Sequence, residues 1–493
     1  MIKKIFFVLL AALIFTPKVF ADVADLNPVI KSHSNVELNK SIIFDAASSI
    51  VTEESGSVVY EWHFGDGNKQ EGTEVVHSYA NPGEYEVTLT IIPTNGEQVS
   101  AIQKVFVYKN SFALVTDVDT EADRISNFVD SAKKENIFVD LIANYTEGSQ
   151  FLSEDSLLRK ISDNLDSLES VDTIVIWTKG TSGLTVLSQL QKSVSKENFF
   201  DNKKIIFISN QNFGSLKNIA KGTFETIHPV EILLTRPEAV WVLLETNSLS
   251  DLEEILTSRE IQFEIVNDKL NLKIWNLMSY FVNTMIEKGV PSNTISLVLM
   301  LPVIVTVVAF MKQVVGVTTL GVYTPSILAL SFIALDLNFG LLILFVILLF
   351  GMVTRWLLKG YRLLYIPRMA ILLSTVSLTI LFLLFVGSYF DIAQIMGIAV
   401  FPMLIMSTLV EKFLSLQSGK GLKSALFIIA EAIFVAILAY FVAEWPWLKV
   451  TILGHPELIF LFFIANIILG RWTGLRVSEY IRFREIIRHV EEE

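Results

Sequence analysis

The chain has 493 residues, 52% of them hydrophobic, and a mean hydropathy of +0.52, too apolar for a soluble protein and too long for one domain. The absence of cysteine excludes a disulfide scaffold, thiolate metal sites, a lipoprotein anchor and a Cys nucleophile, and six histidines leave little for metal chemistry. The net charge of −12 is uneven: residues 22–290 hold 40 acidic and 22 basic side chains, whereas residues 291–493 hold 11 and 14, so the first region lacks the cationic face that a nucleic-acid partner requires.

Residues 1–21 read as a signal peptide, with Lys3 and Lys4, an apolar run from Ile5 to Phe15, and Val19-Phe20-Ala21 at the cleavage site. An uncleaved anchor is the alternative, although the apolar run is short of a full span. Residues 22–109 follow as an all-β segment, with alternating stretches such as Tyr85-Glu86-Val87-Thr88-Leu89-Thr90-Ile91. Phe44-Asp45-Ala46, Trp62-His63-Phe64-Gly65-Asp66-Gly67, His77-Ser78-Tyr79 and Pro82-Gly83-Glu84-Tyr85 resemble the PKD family of immunoglobulin-like domains. Trp62 and Phe64 are expected in the core, Gly65-Asp66-Gly67 in a hairpin turn, and Tyr85 and Val87 on the facing strand. The resemblance implies a binding or spacer module outside the cytoplasm, with a protein, peptide or glycan as its ligand.

Residues 110–268 alternate strands and helices, which predicts a Rossmann-like α/β domain with a parallel sheet. Ligands in such sheets sit at the carboxyl ends of strands, which singles out Asp117 and Asp119 in one loop and Lys179 and Ser182 in another. The loops lack Gly-x-Gly-x-x-Gly, a phosphate-binding Lys loop and calcium-loop spacing, and Gly180-x-Ser182-Gly183 lacks the spacing of a nucleophile elbow. Asp119 and Thr120 are more simply helix caps. No catalytic residue, metal or cofactor is expected. In residues 269–291, Ile274, Leu277, Met278, Phe281 and Met285 form an apolar stripe at helical spacing, fit for a membrane surface or for packing on the α/β domain.

Residues 292–470 contain seven apolar stretches, near 295–311, 319–335, 339–358, 369–390, 392–410, 424–443 and 450–469. With the residues before Ile295 outside, thirteen Lys and Arg side chains fall on the inner side and Lys449 alone on the outer, so the positive-inside rule and the odd helix count agree on a C-terminus in the cytoplasm. Glu431 is the one acid well inside a predicted span, with Asn466, Thr318, Thr319 and Tyr323 as polar candidates to join it. Arg362 and Arg368 on one inner loop, and Arg471, Arg476, Arg482 and Arg484 in the basic tail 471–493, are candidate docking or lipid contacts; interleaved aromatic residues predict an amphipathic helix in the tail.

Gly316-Val317-Thr318-Thr319-Leu320-Gly321, Ile366-Pro367-Arg368, Phe401-Pro402-Met403, Pro456-Glu457-Leu458 and Leu469-Gly470-Arg471-Trp472-Thr473-Gly474 resemble the bacterial seven-transmembrane-helix family usually fused to an inactive transglutaminase-like domain. Here the PKD-like and α/β domains occupy that domain's place. The fold class is thus a multidomain membrane protein: an all-β PKD-like sandwich, an α/β domain and an all-α seven-helix transmembrane domain. The resemblance implies a non-enzymatic component of the inner membrane, associated with an ATP-grasp ligase-like enzyme and a retropepsin-like protease. The expected function is a sensor or scaffold whose partners are the bilayer, a ligand of the exported domains and a cytoplasmic enzyme. A transporter using the intramembrane polar residues is the alternative.

Overall fold

The computed structural model describes residues 26–482 except 52–54, 146–149, 195–198, 247–248, 268–275, 289, 291, 319–320, 359, 362–363, 390–411, 414, 418, 420 and 475. The signal peptide, the fifth apolar stretch, Thr319, Arg362 and Arg484 therefore lie outside the described residues. The chain divides into two compact units: residues 1–111 with 132–138, and the remainder.

The first unit is built on β1 (Asn35–Glu37), β2 (Ser41–Asp45), β3 (Val58–His63), β4 (Lys69–Glu71), β5 (Glu74–Ser78), β6 (Gly83–Pro93) and β7 (Val99–Tyr108). One sheet runs β1-β7-β6-β3-β4 and the other pairs β2 with β5. Phe44, Trp62, Phe64, Val87, Leu89, Ile91, Val105 and Val107 fill the space between them with no exposure, and Tyr85 stacks on Tyr79 at its edge. Trp62 also donates its indole N–H to the Gly72 carbonyl at 2.9 Å, so its one polar atom is satisfied in the core. The turn after β3 uses Gly65 at φ +80° and Gly67 at φ +94°, and a Cβ on Gly65 would meet the Glu86 carbonyl at 2.9 Å. Between these glycines Asp66 accepts the Asn68 N–H at 3.0 Å and pairs with His77 at 2.8 Å, while the His77 ring lies flat on Phe64.

The α/β domain continues with β8 (Asn110–Thr116), α1 (Ala122–Lys134), β9 (Ile137–Ala143), α2 (Gln150–Asp163), α3 (Leu165–Ser170), β10 (Thr173–Trp177), α4 (Ser182–Ser193), β11 (Lys204–Ile208), α5 (Phe213–Ile227), β12 (Glu231–Thr235), α6 (Leu249–Ser258) and β13 (Phe263–Val266). The sheet order is β13-β12-β11-β10-β8-β9; β8, β10, β11 and β12 are mutually parallel and β13 closes one edge antiparallel to β12. Runs such as Ile174-Val175-Ile176-Trp177 are buried throughout because helices cover both faces.

The helical part comprises α7 (Leu277–Glu287), α8 (Ser292–Phe310, closed by a π turn over Met311–Val315), α9 (Tyr323–Leu335), α10 (Leu337–Leu358), α11 (Tyr365–Tyr389), α12 (Leu422–Ala443), α13 (Pro446–Gly454), α14 (Ile459–Gly470) and α15 (Val477–Arg482). Among the described residues four helices are long and apolar enough to cross a membrane: Thr294–Val315, Leu337–Leu358, Ile366–Tyr389 and Leu422–Ala443. Two expected spans take another form. The second is the 13-residue α9, which begins only after the left-handed Gly316 and Gly321. The last is no straight helix: α13 and the segment Pro456–Gly470 meet at 105°. Pro456 supplies no N–H, and its ring drives His455 out of the helical region to φ −136°, ψ 72°, so the ladder ends at Gly454.

Candidate functional site

The first candidate follows from the topology. β8 lies between β9 and β10, so successive crossovers leave in opposite directions at β8 and open a crevice beyond the carboxyl ends of β8 and β10. Asp117, Asp119, Lys179 and Ser182 do converge there. Asp117 is buried and accepts the Lys179 backbone N–H at 2.6 Å; the Lys179 ammonium pairs with Asp119 at 2.6 Å; Ser182 donates its hydroxyl to the Lys179 carbonyl. Burial pushes the Asp117 carboxyl up to about 6, against the pull of the Lys179 amide and charge, whereas the Lys179 ammonium holds Asp119 below the usual carboxylate range. Gly183 lets α4 lie on β10, since a Cβ there would meet Ile176 at 2.2 Å and Thr178 at 2.7 Å. The amide and ammonium of Lys179, just before α4, are thus already engaged by the protein's own carboxylates, which disfavours an anionic ligand there. Asp119 opens a 3₁₀ turn and accepts the Thr120 N–H, but its ion pair with Lys179 gives it a second role beyond capping.

The intramembrane candidates separate into different sites. Thr318 donates its hydroxyl to Glu431, which sits near the middle of the 22-residue α12. Asn466 does not join them; it donates to Thr306 at 2.7 Å and to the Phe462 carbonyl at 2.8 Å. Thr306 in turn donates to the carbonyl of Pro302, within α8. Tyr323 is exposed, and its ring lies 5.6 Å from the Lys412 ammonium, which donates to Thr324 at 2.6 Å.

The amphipathic helix expected in the tail has one short helical stretch among the described residues. Only Val477–Arg482 is helical among its described residues, and Arg471 and Arg476 are exposed. The segment folds back on the end of α8: Gln313 donates to the Trp472 carbonyl and Ser478 to the Gly316 carbonyl, each at 3.4 Å. Arg368 lies on α11 rather than on the inner loop expected, and it is half-buried.

Beyond the alternative that the 269–291 helix packs on the α/β domain, sequence reasoning missed how that domain meets the membrane helices, which belong to one compact unit with most of it. α5 rests on α13, so closely that a Cβ on Gly454 would meet the Ser215 carbonyl oxygen at 2.5 Å. Asn218 donates to the Gly454 carbonyl at 3.1 Å and lies 3.2 Å from His455 Nδ1. On α7, Ser279 donates its backbone N–H and its hydroxyl to the two oxygens of Glu457, at 2.9 and 3.1 Å. Val450 belongs to the α/β core and Ile452, on the opposite side of α13, to the helical core. The one advance signal was Pro456-Glu457, a helix breaker beside a charge in an apolar stretch. α7 turns Ser279 and Val282 inward, and Leu277, Phe281 and Met285 of its predicted stripe stay exposed.

Residues 256–487 match the family described as seven transmembrane helices usually fused to an inactive transglutaminase, and residues 26–107 match the PKD domain. The first match spans the helical part but begins within α6 of the α/β domain, and the second spans the sandwich. Among curated proteins it is similar to Collagenase ColA of Clostridium perfringens (40% identical over 83 residues, 17% of this chain and 7% of that protein). It is also similar to a microbial collagenase of Vibrio alginolyticus (33% over 82 residues, 16% and 10%), so it spans a tenth or less of either relative. Among solved structures, it is similar to one described under the promiscuous specificity of carbohydrate-binding modules of the β-sandwich superfamily (24% identity, 18% of this chain and 36% of that one, TM-score 0.16). A 2,6-sialyltransferase of Photobacterium sp. JT-ISH-224 is similar at 8% identity, over 50% and 62% of the two chains, with a TM-score of 0.21.

Proposed function

We propose that this membrane protein is a non-catalytic sensor or scaffold of the inner membrane, in which the sandwich and the α/β domain meet a peptide, glycan or protein ligand outside the cytoplasm. The seven-helix domain then presents that state to a cytoplasmic partner, the ATP-grasp ligase-like class being the one the family resemblance implies. The observation that carries the reading is α13, whose Val450 and Ile452 serve two cores at once. A shift of the α/β domain cannot occur without moving or unpacking the broken last span, because close-packed interiors transmit displacement. At the other end of α8, the tail seated on Gly316 lies beside Thr318, the hydrogen-bond partner of Glu431. Arg471 and Arg476 are exposed for an acidic partner, with Arg362, Arg368, Arg482 and Arg484 completing the basic set.

The test is co-purification in mild detergent of the full chain and of a chain ending at Gly470. A cytoplasmic enzyme recovered only with the full chain supports the scaffold. Equal recovery with both removes the tail from the mechanism, and recovery of no partner after crosslinking at native abundance refutes the reading.

A second reading, transport, is favoured by the Thr318–Glu431 and Lys412–Thr324 pairs in otherwise apolar segments. It requires substrate flux in proteoliposomes that Glu431→Gln abolishes.

A further inference from the structure

α7 turns one face to protein and the other outward. Val282 joins Ile295 and Leu299 of α8 in the helical core, and Asn283 sits against Gly222 of α5, where a Cβ would overlap it. Leu277, Tyr280, Phe281 and Met285 point the other way, are each 39–53% exposed, and fall within an arc of about 140° at helical spacing. Lys288 follows them, exposed, at the C-terminal end of the helix. Four large apolar or aromatic side chains in one stripe form a patch of the kind that water-facing helices avoid.

Three observations name what covers it. Four residues link α7 to α8, which starts the first membrane-spanning helix, and the gap from Glu287 to Ser292 spans at most about 18 Å, so α7 stays at the membrane boundary. Trp445 and Trp447, exposed and with rings 5.7 Å apart, follow the end of α12 and mark the level at which aromatic side chains meet headgroups. α13, which holds Trp447, leads directly to the turn that α7 binds. The stripe also has the make-up of an interfacial helix: aromatic rings and long apolar side chains outward, with a lysine to meet lipid phosphate.

The same helix is tied to the last span. Ser279 stands in the first turn of α7, and its N–H and hydroxyl both bind the Glu457 carboxylate, which caps the helix and faces the positive end of its dipole. Glu457 lies one residue into the segment Pro456–Gly470, beside its 105° bend with α13. Moving α7 across the leaflet therefore pulls on the bend itself.

We propose that α7 lies in the headgroup layer of the leaflet on the α/β side, with its stripe at the acyl boundary, and that Glu457 ties its depth there to the break in the last span. The proposal stands whether or not the chain has a cytoplasmic partner.

The chain has no cysteine, so single-cysteine variants carry a spin label without background. Leu277→Cys, Phe281→Cys and Met285→Cys are labelled in the full-length protein in vesicles of palmitoyl-oleoyl phosphatidylethanolamine and phosphatidylglycerol. Glu254→Cys on α6 and Leu378→Cys on α11, both exposed positions, serve as the water and hydrocarbon references. Collision with oxygen, which concentrates in lipid, is compared with collision with a water-soluble nickel chelate. The oxygen-to-nickel ratio at the three stripe positions is expected at least about fivefold above that at Glu254→Cys and below that at Leu378→Cys. A ratio equal to that of Glu254→Cys leaves the stripe in water, and weak collision with both reagents means that protein, a second copy included, covers it; either overturns the proposal. The tie to the last span is read by hydrogen exchange in the same vesicles. Leu277→Ser/Phe281→Ser, which adds no charge, is expected to speed exchange of the Glu457 and Leu458 amides at least about threefold. An unchanged rate overturns the coupling, and Phe281→Ser alone serves should the double variant not fold.

Discussion

The sandwich and the α/β domain bury their cores in different ways. The sandwich completes its core with its own strands, from Val36 to Val107. The α/β domain draws Val450 from α13 into its core, and α13 gives Ile452 to the helical core. A domain that closes on itself needs no other part of the chain to finish its core. A domain whose core is finished by a membrane helix is committed to that helix.

The largest expected effect separates the two regions. Trp62→Ala should cost the sandwich about 3–5 kcal/mol, because the whole ring is buried and its indole bond is lost. In a calorimetric scan of the detergent-solubilised protein, the sandwich transition should fall while the α/β and helical transitions stay in place. A common fall of all transitions would show that the sandwich is no independent unit.

Gly454→Leu tests the opposite behaviour. Its side chain would run into Ser215 backbone atoms, at 2.5–2.8 Å from the first carbon alone, so relief requires α5 and α13 to part. The cost should lie near the upper end of overpacking penalties, about 3 kcal/mol. The α/β and helical transitions should fall together, with new protease cleavage in the α/β domain. A shift confined to one of the two would break the comparison.

Asp66→Ala should destabilise the sandwich by about 2 kcal/mol, through the lost Asn68 and His77 bonds. Partial burial pushes the Asp66 carboxyl up, but the Asn68 and His77 hydrogen bonds outweigh it, so its net position is below the usual range. A lowered acid contributes stability at neutral pH that is lost as pH falls through the folded-state value. The parent sandwich should therefore weaken in acid more than the variant, measured as melting temperature against pH.

Asp117→Asn carries the smallest effect and the opposite sign. With the carboxyl raised to about 6 by burial, its ionised form opposes folding at pH 7.5, and the penalty fades as pH falls from 6 toward 4. The amide keeps an acceptor for the Lys179 N–H and removes the buried charge, so a gain of about 1–2 kcal/mol at pH 7.5 and none at pH 4 is expected. Destabilisation at both pH values would show that the charge itself holds the loop.

Much of the site geometry was open to reading because it is local or follows a sheet rule. Alternation put Trp62 in the core, and the βαβ order placed Asp117, Asp119, Lys179 and Ser182 at one end of the sheet. The pairing of Asn466 was not open to reading, since apolar helices carry little information about which faces meet: Asn466 and Glu431 look equivalent in sequence, yet face Thr306 and Thr318.

The sequence by itself determined the classes of structure: a β-sandwich from period-two alternation and glycine turns, a parallel sheet from buried β runs between helices, and a membrane domain from apolar length. Those signals depend on neighbours a few residues apart, which backbone sterics and hydration fix locally. Only the tertiary structure decided that α5 rests on Gly454 and that Ser279 holds Glu457. These residues are far apart in the chain, and their meeting depends on how two helical layers pack, which shape complementarity sets and residue order alone does not encode.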